Sequence, residues 1–344
     1  VVSRDAVPGS GHAGMGCVDC HSAYGRFPHS SRAVTPGCGS QECHQGIHGD
    51  WSGSVHARTQ EETGGKAASC VACHGVHDVP PVDAMETTAS PAMIRMNRTC
   101  EGCHAEQALP TDAAHRDAVL CASCHAPHAT GAVAHPDSWT APSGQVETCG
   151  ACHQEAALAF RPDAHGTLIL QGDSLAPNPE SLAADSAAPA CTTCHGAHPM
   201  PDTAAAGFRN AMVERCGGCH QDLANRYYDS YHGKAVRLGS EAAAACWECH
   251  LAHGVYPQED PRSSVAQASL VETCGVCHEN SRPAFVQYDS HPDFTDRERN
   301  PILFYSFWFM TALVVGTLTV FVIHTLLWWI RIGIDMRRGG GHHA

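Results

Sequence analysis

All twenty cysteines of the chain fall into ten pairs, and a histidine directly follows the second cysteine of every pair. Nine pairs have the spacing C-x-x-C-H, and Cys38/Cys43/His44 has the longer spacing C-x4-C-H. Two thiols at such spacing can add across the vinyl groups of a haem, and the adjacent histidine then binds the iron. Neither disulfides nor zinc ribbons require a histidine after every second cysteine. The pattern therefore predicts ten covalently attached c-type haems.

The predicted attachment residues are the two cysteines of each motif. They are Cys17, Cys20, Cys38, Cys43, Cys70, Cys73, Cys100, Cys103, Cys121, Cys124, Cys149, Cys152, Cys191, Cys194, Cys216, Cys219, Cys246, Cys249, Cys274 and Cys277. The histidine that ends each motif is the predicted proximal ligand of its iron. These ligands are His21, His44, His74, His104, His125, His153, His195, His220, His250 and His278.

Further histidines recur at two positions relative to the motifs, which predicts a duplicated two-haem unit. One lies 11 to 13 residues after a proximal histidine, as His56 follows His44, and the other forms C-H-x-x-H, as in His74/His77. Of the 26 histidines, thirteen are candidate distal ligands. They are His12, His29, His48, His56, His77, His115, His128, His135, His165, His198, His232, His253 and His291. For His29, His48 and His135, an ordinary surface histidine is an equally open interpretation.

Thirteen candidates are enough to supply ten irons with a second axial ligand, so we expect mostly bis-histidine haems. An iron with both axial positions occupied suits electron transfer, because no position is left for a substrate. No residue is therefore predicted to be catalytic.

The composition favours a fold in which the haems supply the core. The 344 residues are only 6% aromatic and carry a net charge of −14. A chain with so few large apolar side chains cannot easily bury a core of its own. We therefore predict short α-helices and loops wrapped around ten covalent haems, with little β-structure. The acidic balance argues against nucleic-acid binding, which needs clustered Lys and Arg.

These motifs resemble those of the multihaem c-type cytochromes in the broad sense that includes the cytochromes c3. The resemblance covers roughly residues 12–291 and depends on the C-x-x-C-H motifs, the C-x4-C-H variant, and the S-x-H-G and C-H-x-x-H elements. It implies haems in close contact, through which electrons hop.

A segment of a different kind follows the last motif. Residues 301–330 contain no Asp, Glu, Lys or Arg, and about 20 apolar residues are enough to cross a bilayer. Because Arg331, Arg337 and Arg338 follow, we predict a cytoplasmic C-terminus and a single pass through the cytoplasmic (inner) membrane. The predicted regions are a periplasmic or extracytoplasmic decahaem domain (1–295), a transmembrane helix (301–331) and a cytoplasmic tail (332–344). Because haem is attached outside the cytoplasm, we also expect a cleaved signal peptide.

One histidine, His324, lies within this apolar segment. Thr317, His324 and Arg331 are seven residues apart and so share one helix face. One interpretation is a contact with a b-type haem or a quinone held by a partner. The alternative is a neutral histidine that is hydrogen-bonded across a helix interface.

The C-terminal anchor resembles that of cytochromes that dock on a quinone-reactive membrane subunit, either a b-type cytochrome or an NrfD-like protein. Our hypothesis is an electron-transfer subunit that relays electrons between such a partner and periplasmic or extracellular redox proteins. Two alternatives remain. A multihaem reductase of a small oxyanion such as nitrite would need an open iron, and a subunit of an extracellular cytochrome filament would not need the anchor.

Overall fold

The fold is a series of short helices followed by one long helix. The computed structural model describes residues 7–29, 37–40, 42–64, 68–85, 90–109, 115, 119–132, 135–170, 188–198, 200–205 and 207–339. In these ranges the α-helices are joined by loops and short 3₁₀ helices, and no strand is longer than one bridge residue. The prediction of helices with little β-structure is thus confirmed.

The α-helices are numbered in chain order. They are α1 (Cys17–Cys20), α2 (Gln45–Ser52), α3 (Val55–Glu62), α4 (Cys70–His74), α5 (Pro91–Cys103), α6 (Cys121–Cys124), α7 (Pro142–Gly150), α8 (Gln154–Phe160), α9 (Ala164–Leu170), α10 (Cys191–His195), α11 (Phe208–Cys219), α12 (Gln221–Asp229), α13 (Tyr231–Arg237), α14 (Cys246–His250), α15 (Leu270–Gly275) and α16 (Pro301–Arg337). The 3₁₀ helices are Ser22–Tyr24, Val82–Met85, Ala105–Gln107 and Phe285–Gln287.

Nine of the ten cysteine motifs lie at least partly on helices, of two kinds, and the motif of Cys38 and Cys43 lies outside the helices. Some motifs form a single helical turn, as in α4, α6, α10 and α14, and others lie at the end of a longer helix, as in α5, α7 and α11. The longer helices begin with favourable N-terminal signals. Pro91 and Pro142 occupy first-turn positions of α5 and α7, where a missing N–H costs nothing.

Each longer helix holds the single-turn motif that comes next in the sequence. The Asn97 side-chain oxygen on α5 accepts a hydrogen bond of 2.9 Å from the Cys121 backbone N–H. The Gln145 side-chain oxygen on α7 accepts one of 2.9 Å from the Thr192 N–H. On α11, Arg209 forms an ion pair of 2.6 Å with Glu248. Two consecutive motifs are therefore fixed together by polar contacts.

Few apolar side chains are buried. Most of the buried hydrophobic residues are alanines, and the largest fully buried apolar side chains are Val146, Val213 and Val236. The chain exposes 24331 Å² for a mass of 36.5 kDa. A compact monomer of this mass exposes about 13,500 Å². The polypeptide by itself therefore builds only a small apolar core, as the composition predicts.

The last helix, α16, has 37 residues and is the one candidate membrane span, by length and composition, in the part of the chain that the structure describes. It continues to Arg337, six residues beyond the predicted boundary at 331. Twenty residues separate Trp308 from Trp328, a rise of about 30 Å that matches the thickness of the hydrocarbon layer. Such aromatic residues favour the two interfaces of a membrane. The first residues (1–6) and the end of the tail (340–344) lie outside the described residues.

Deleting residues 301–344 is expected to move nearly all of the chain from the membrane fraction to the soluble fraction. The reason is that this change removes the exposed apolar surface of α16. Cell fractionation with a carbonate wash measures the distribution. A control chain that lacks only residues 340–344 keeps α16 and should remain in the membrane. Retention of the longer deletion in membranes after the wash would contradict an anchor in α16.

Candidate functional site

The structure brings the ten predicted proximal histidines into ten pairs with other histidines. Each pair contains one proximal histidine and one of the predicted distal candidates, and no histidine belongs to two pairs. Proximal residue first, the ring-centroid distances are His21–His77 6.1 Å, His44–His12 6.0 Å, His74–His128 5.9 Å, His104–His56 6.2 Å, His125–His198 5.9 Å, His153–His115 5.8 Å, His195–His253 5.9 Å, His220–His165 6.2 Å, His250–His291 6.2 Å and His278–His232 6.1 Å.

This narrow range of distances fits two imidazoles on opposite sides of one metal ion. An imidazole nitrogen bound to a transition metal lies about 2.0–2.1 Å from it, and the ring centroid about 1 Å further, so centroids across one metal are roughly 6 Å apart. In the His115–His153 pair the two Nε2 atoms face each other at 3.5 Å, closer than the roughly 4 Å that two nitrogens on opposite sides of one metal require. Among the described residues no group of three or more His, Cys, Asp or Glu side chains could hold a metal ion. The motif histidines instead each face one other histidine.

Three of the thirteen distal candidates have other surroundings. The His29 ring contacts the rings of Tyr24 and Phe27. The His48 ring lies 5.7 Å from that of Trp51. His135 Nδ1 lies 3.8 Å from the Asp137 carboxylate on an exposed surface. The structure places none of the three opposite a proximal histidine.

The pairs connect successive copies of the repeat. We number the copies unit 1 (38–77), unit 2 (100–128), unit 3 (149–198) and unit 4 (216–253), with incomplete copies at 12–21 and 274–291. The C-H-x-x-H distal histidine of a unit lies opposite a proximal histidine of the preceding copy, as His128 does with His74. The other distal histidine lies opposite the first proximal histidine of the following copy, as His56 does with His104. Each joint between successive complete units therefore contains two histidine pairs that cross it in opposite directions.

A polar residue positions five of the distal histidines that lie outside the C-H-x-x-H motifs, namely His12, His56, His165, His232 and His291. In each of these five cases the residue two positions earlier in the sequence caps the turn or helix on which the histidine lies. Ser54 Oγ accepts a hydrogen bond of 3.2 Å from Ala57 N, Asp163 Oδ1 one of 2.7 Å from Gly166 N, and Ser230 Oγ one of 3.2 Å from Gly233 N. Ser10 and Asp289 accept from the backbone N–H of His12 and His291 themselves. Side chains of this kind stabilise helix starts.

The same backbone hydrogen bond recurs at three of the joints. The residue before the distal histidine donates its N–H to the carbonyl two residues beyond the C-H-x-x-H of the next copy. The bonds are Gly11 N to Val79 O, Val55 N to Thr130 O and Ala164 N to Val255 O, each 2.9 Å long. At each of these joints, distal histidines from neighbouring copies are therefore fixed next to each other.

The cysteines show that motifs that are consecutive in the sequence also lie next to each other in space. At every step a cysteine of one motif lies close enough to a cysteine of the next to influence its pKa. The pairs are Cys20–Cys38, Cys38–Cys70, Cys73–Cys100, Cys100–Cys121, Cys124–Cys149, Cys149–Cys191, Cys194–Cys216, Cys216–Cys246 and Cys249–Cys274. None of the twenty cysteines forms a disulfide. The ten motifs thus form one continuous series.

Burial lowers the pKa of several of the paired histidines, namely His74, His125, His195 and His250, and the facing histidine of each pair lowers it further. A neutral imidazole is the form that binds a metal, because its ring nitrogen must offer a free electron pair. The surroundings of these rings therefore suit axial ligands.

His324 lies apart from the ten pairs, on the exposed surface of α16. It shares that helix with Thr317 and Arg331, and Thr317 Oγ1 donates to the Leu313 carbonyl at 2.7 Å. The contact of His324 with a b-type haem or a quinone stays a prediction.

No protein-family model matches this chain, and it shows no match to a curated protein or to a solved structure. The interpretation of the ten pairs therefore depends on the motifs and on the geometry of the histidines.

Replacing Ser54 with Ala is expected to lower the free energy of unfolding by about 1 kcal/mol, because the N–H of Ala57 loses its acceptor. The control is Ser52→Ala, where an exposed hydroxyl donates only to Gly49 O and the change should stay below about 0.5 kcal/mol. Denaturant unfolding followed by circular dichroism measures both. Equal losses would argue against a special role for the buried cap.

Proposed function

We propose that this chain is a membrane-anchored decahaem c-type cytochrome that relays electrons between a quinone-reactive membrane partner and periplasmic or extracellular redox proteins. The observation that carries the proposal is the matching of each of ten motif histidines with one facing histidine about 6 Å away. Haem c, when bound, supplies an iron that alternates between ferric and ferrous states. The chain's own residues bind each haem through two thioethers and two imidazoles.

The complete set of axial ligands supports electron transfer rather than substrate reduction. An oxyanion reductase needs at least one iron with a free axial position, and here each proximal histidine has a histidine facing it. The paired histidines hold the haems in place and exclude water and small anions from the irons. The continuous series of cysteine contacts supports a path in which each haem has a neighbour on both sides, except at the ends.

The contacts around His291 support a membrane position for the C-terminal end of this series. His291, which faces His250, lies ten residues before the start of α16. Asp289 accepts from the His291 N–H at 3.0 Å and forms an ion pair with Arg299 at 2.9 Å. Asn300, just before α16, accepts from the Asp293 N–H at 2.9 Å. We infer that the haem at Cys246/Cys249 lies near the membrane and exchanges electrons with the partner there.

A candidate distal histidine that faces a proximal histidine and one that does not are expected to have different effects on the haem spin state when each is replaced by Ala. His128→Ala removes the ring that faces His74, so one of ten haems should become five-coordinate and high-spin. His135→Ala removes an exposed histidine beside Asp137 and should change no haem. Electron paramagnetic resonance of the oxidised protein measures the high-spin fraction, expected at about one tenth of the iron for His128→Ala. A high-spin signal from His135→Ala, or none from His128→Ala, would contradict the pairing.

The function is tested in native membranes that contain the full chain and its neighbours. A reduced quinol analogue is added and the absorbance of haem c is followed. We expect reduction of haem c in these membranes, and none when residues 301–344 are deleted. A pyridine haemochrome spectrum should give about ten haem c per chain. Haem b in a fixed ratio would indicate a cytochrome b partner and a role for His324, whereas haem c alone would favour an NrfD-like partner.

Failure of quinol to reduce haem c in membranes that hold ten haems per chain would contradict the quinone link.

A further inference from the structure

One of the residues that cap a distal histidine carries a charge in a buried position. Asp163 is 1% exposed, and it is the one carboxylate among the buried polar residues of the described ranges. The equivalent positions before His12, His56 and His232 hold the neutral residues Ser10, Ser54 and Ser230. The structure records no ion pair between Asp163 and a Lys or Arg in the part of the chain that it describes. Asp163 therefore introduces a charge where a hydroxyl is enough to cap the helix.

The carboxylate of Asp163 is fixed at the joint between units 3 and 4. Oδ1 accepts from Gly166 N at 2.7 Å, and Oδ2 accepts from Gly254 N at 3.1 Å and from Val255 N at 3.2 Å. The last two donors lie 91 and 92 residues later in the sequence. Three backbone donors satisfy the oxygens without cancelling the charge.

Two distal histidines lie next to this carboxylate. His165 follows Asp163 by two residues and faces His220, and His253 directly precedes Gly254 and faces His195. Burial lowers the pKa of both His165 and His253, while the charge of Asp163 raises it. One carboxylate thus acts electrostatically on ligands of two different haem sites. The Arg215 guanidinium, which donates to the Cys194 carbonyl, is a positive group near the Cys191/Cys194 site.

We propose, on the basis of the function proposed above, that Asp163 is a fixed negative charge that lowers the reduction potentials of the two haems at Cys191/Cys194 and Cys216/Cys219. A negative charge stabilises the ferric iron relative to the ferrous iron, and it does so more strongly where little water is present. The serines at the equivalent positions 10, 54 and 230 carry no charge and lack this effect. Asp163 accordingly makes the two haems at the joint between units 3 and 4, at the seventh and eighth of the ten motifs, harder to reduce.

Two substitutions remove the charge and keep the cap to different degrees. Asp163→Ser installs the residue found at the equivalent positions 54 and 230, and Asp163→Asn keeps the shape of the side chain. In an optical redox titration of the full chain, we expect about one fifth of the haem c absorbance change to move to a higher potential, because two of ten haems are affected. Glu241→Gln is the matched control. Its exposed charge is screened by water, and the titration should not move.

The reciprocal substitution Ser54→Asp adds a carboxylate at the equivalent joint between units 1 and 2, beside His56 and His128. We expect about one fifth of the absorbance change to move to a lower potential, from the haems at Cys70/Cys73 and Cys100/Cys103. This variant decides the proposal if the Asp163 variants fail to bind haem.

The proposal is overturned if variants that hold ten low-spin haems titrate as the parent chain does. A parent chain without ten haems, by the pyridine haemochrome spectrum, would instead refute the proposed function and leave the potentials undefined.

Discussion

The arrangement of the repeats depends on pairs of imidazole rings that face each other and belong to neighbouring copies. A unit such as 100–128 holds two proximal histidines, yet both find their facing histidine in a neighbouring copy. A copy that folded alone would leave its proximal histidines without these facing rings. The geometry of each pair is therefore a property of the joint, and it links the position of every unit to that of the next. The recurrent backbone hydrogen bond at the joints, as from Val55 N to Thr130 O, has the same consequence.

The copies on either side of the four complete units supply the facing histidines of units 1 and 4. Before unit 1, His12 faces His44 and lies on a turn that Ser10 caps. At the other end no C-H-x-x-H follows the last motif, and His250 would lack a facing histidine. His291 fills this position although its spacing after His278 is that of the other class. The segment that carries His291 then leads into α16. This segment therefore both replaces the missing C-H-x-x-H histidine and connects the repeat to α16.

The sequence predicted which histidines belong to the motifs and which recur between them, but it did not predict which of them face each other. The motif spacing predicts the attachment cysteines and the proximal histidines because that chemistry is local, and the repeat predicts two classes of candidate distal histidine. Contacts between copies decide which proximal histidine a distal candidate faces, as with His77 and His21, and no local pattern shows these contacts. A signal that was not used could have separated the candidates. Ser or Asp stands two residues before most histidines of the capped class, whereas Phe27, Gly46 and Val133 precede His29, His48 and His135.

The scarcity of buried apolar side chains and the crossing of ligands at each joint have a common consequence for stability. Because a unit contacts mainly its neighbours, its stability is close to a sum of local terms and joint terms, as in other linear repeat proteins. With valines as the largest fully buried apolar side chains, the hydrophobic effect of the polypeptide contributes little to each joint. The joint terms must then come mainly from the facing histidine pairs, the buried caps and the backbone hydrogen bonds. A chain built in this way can lengthen by whole units at little cost, since each added copy brings two cysteine motifs, two further histidines and the residues that position them.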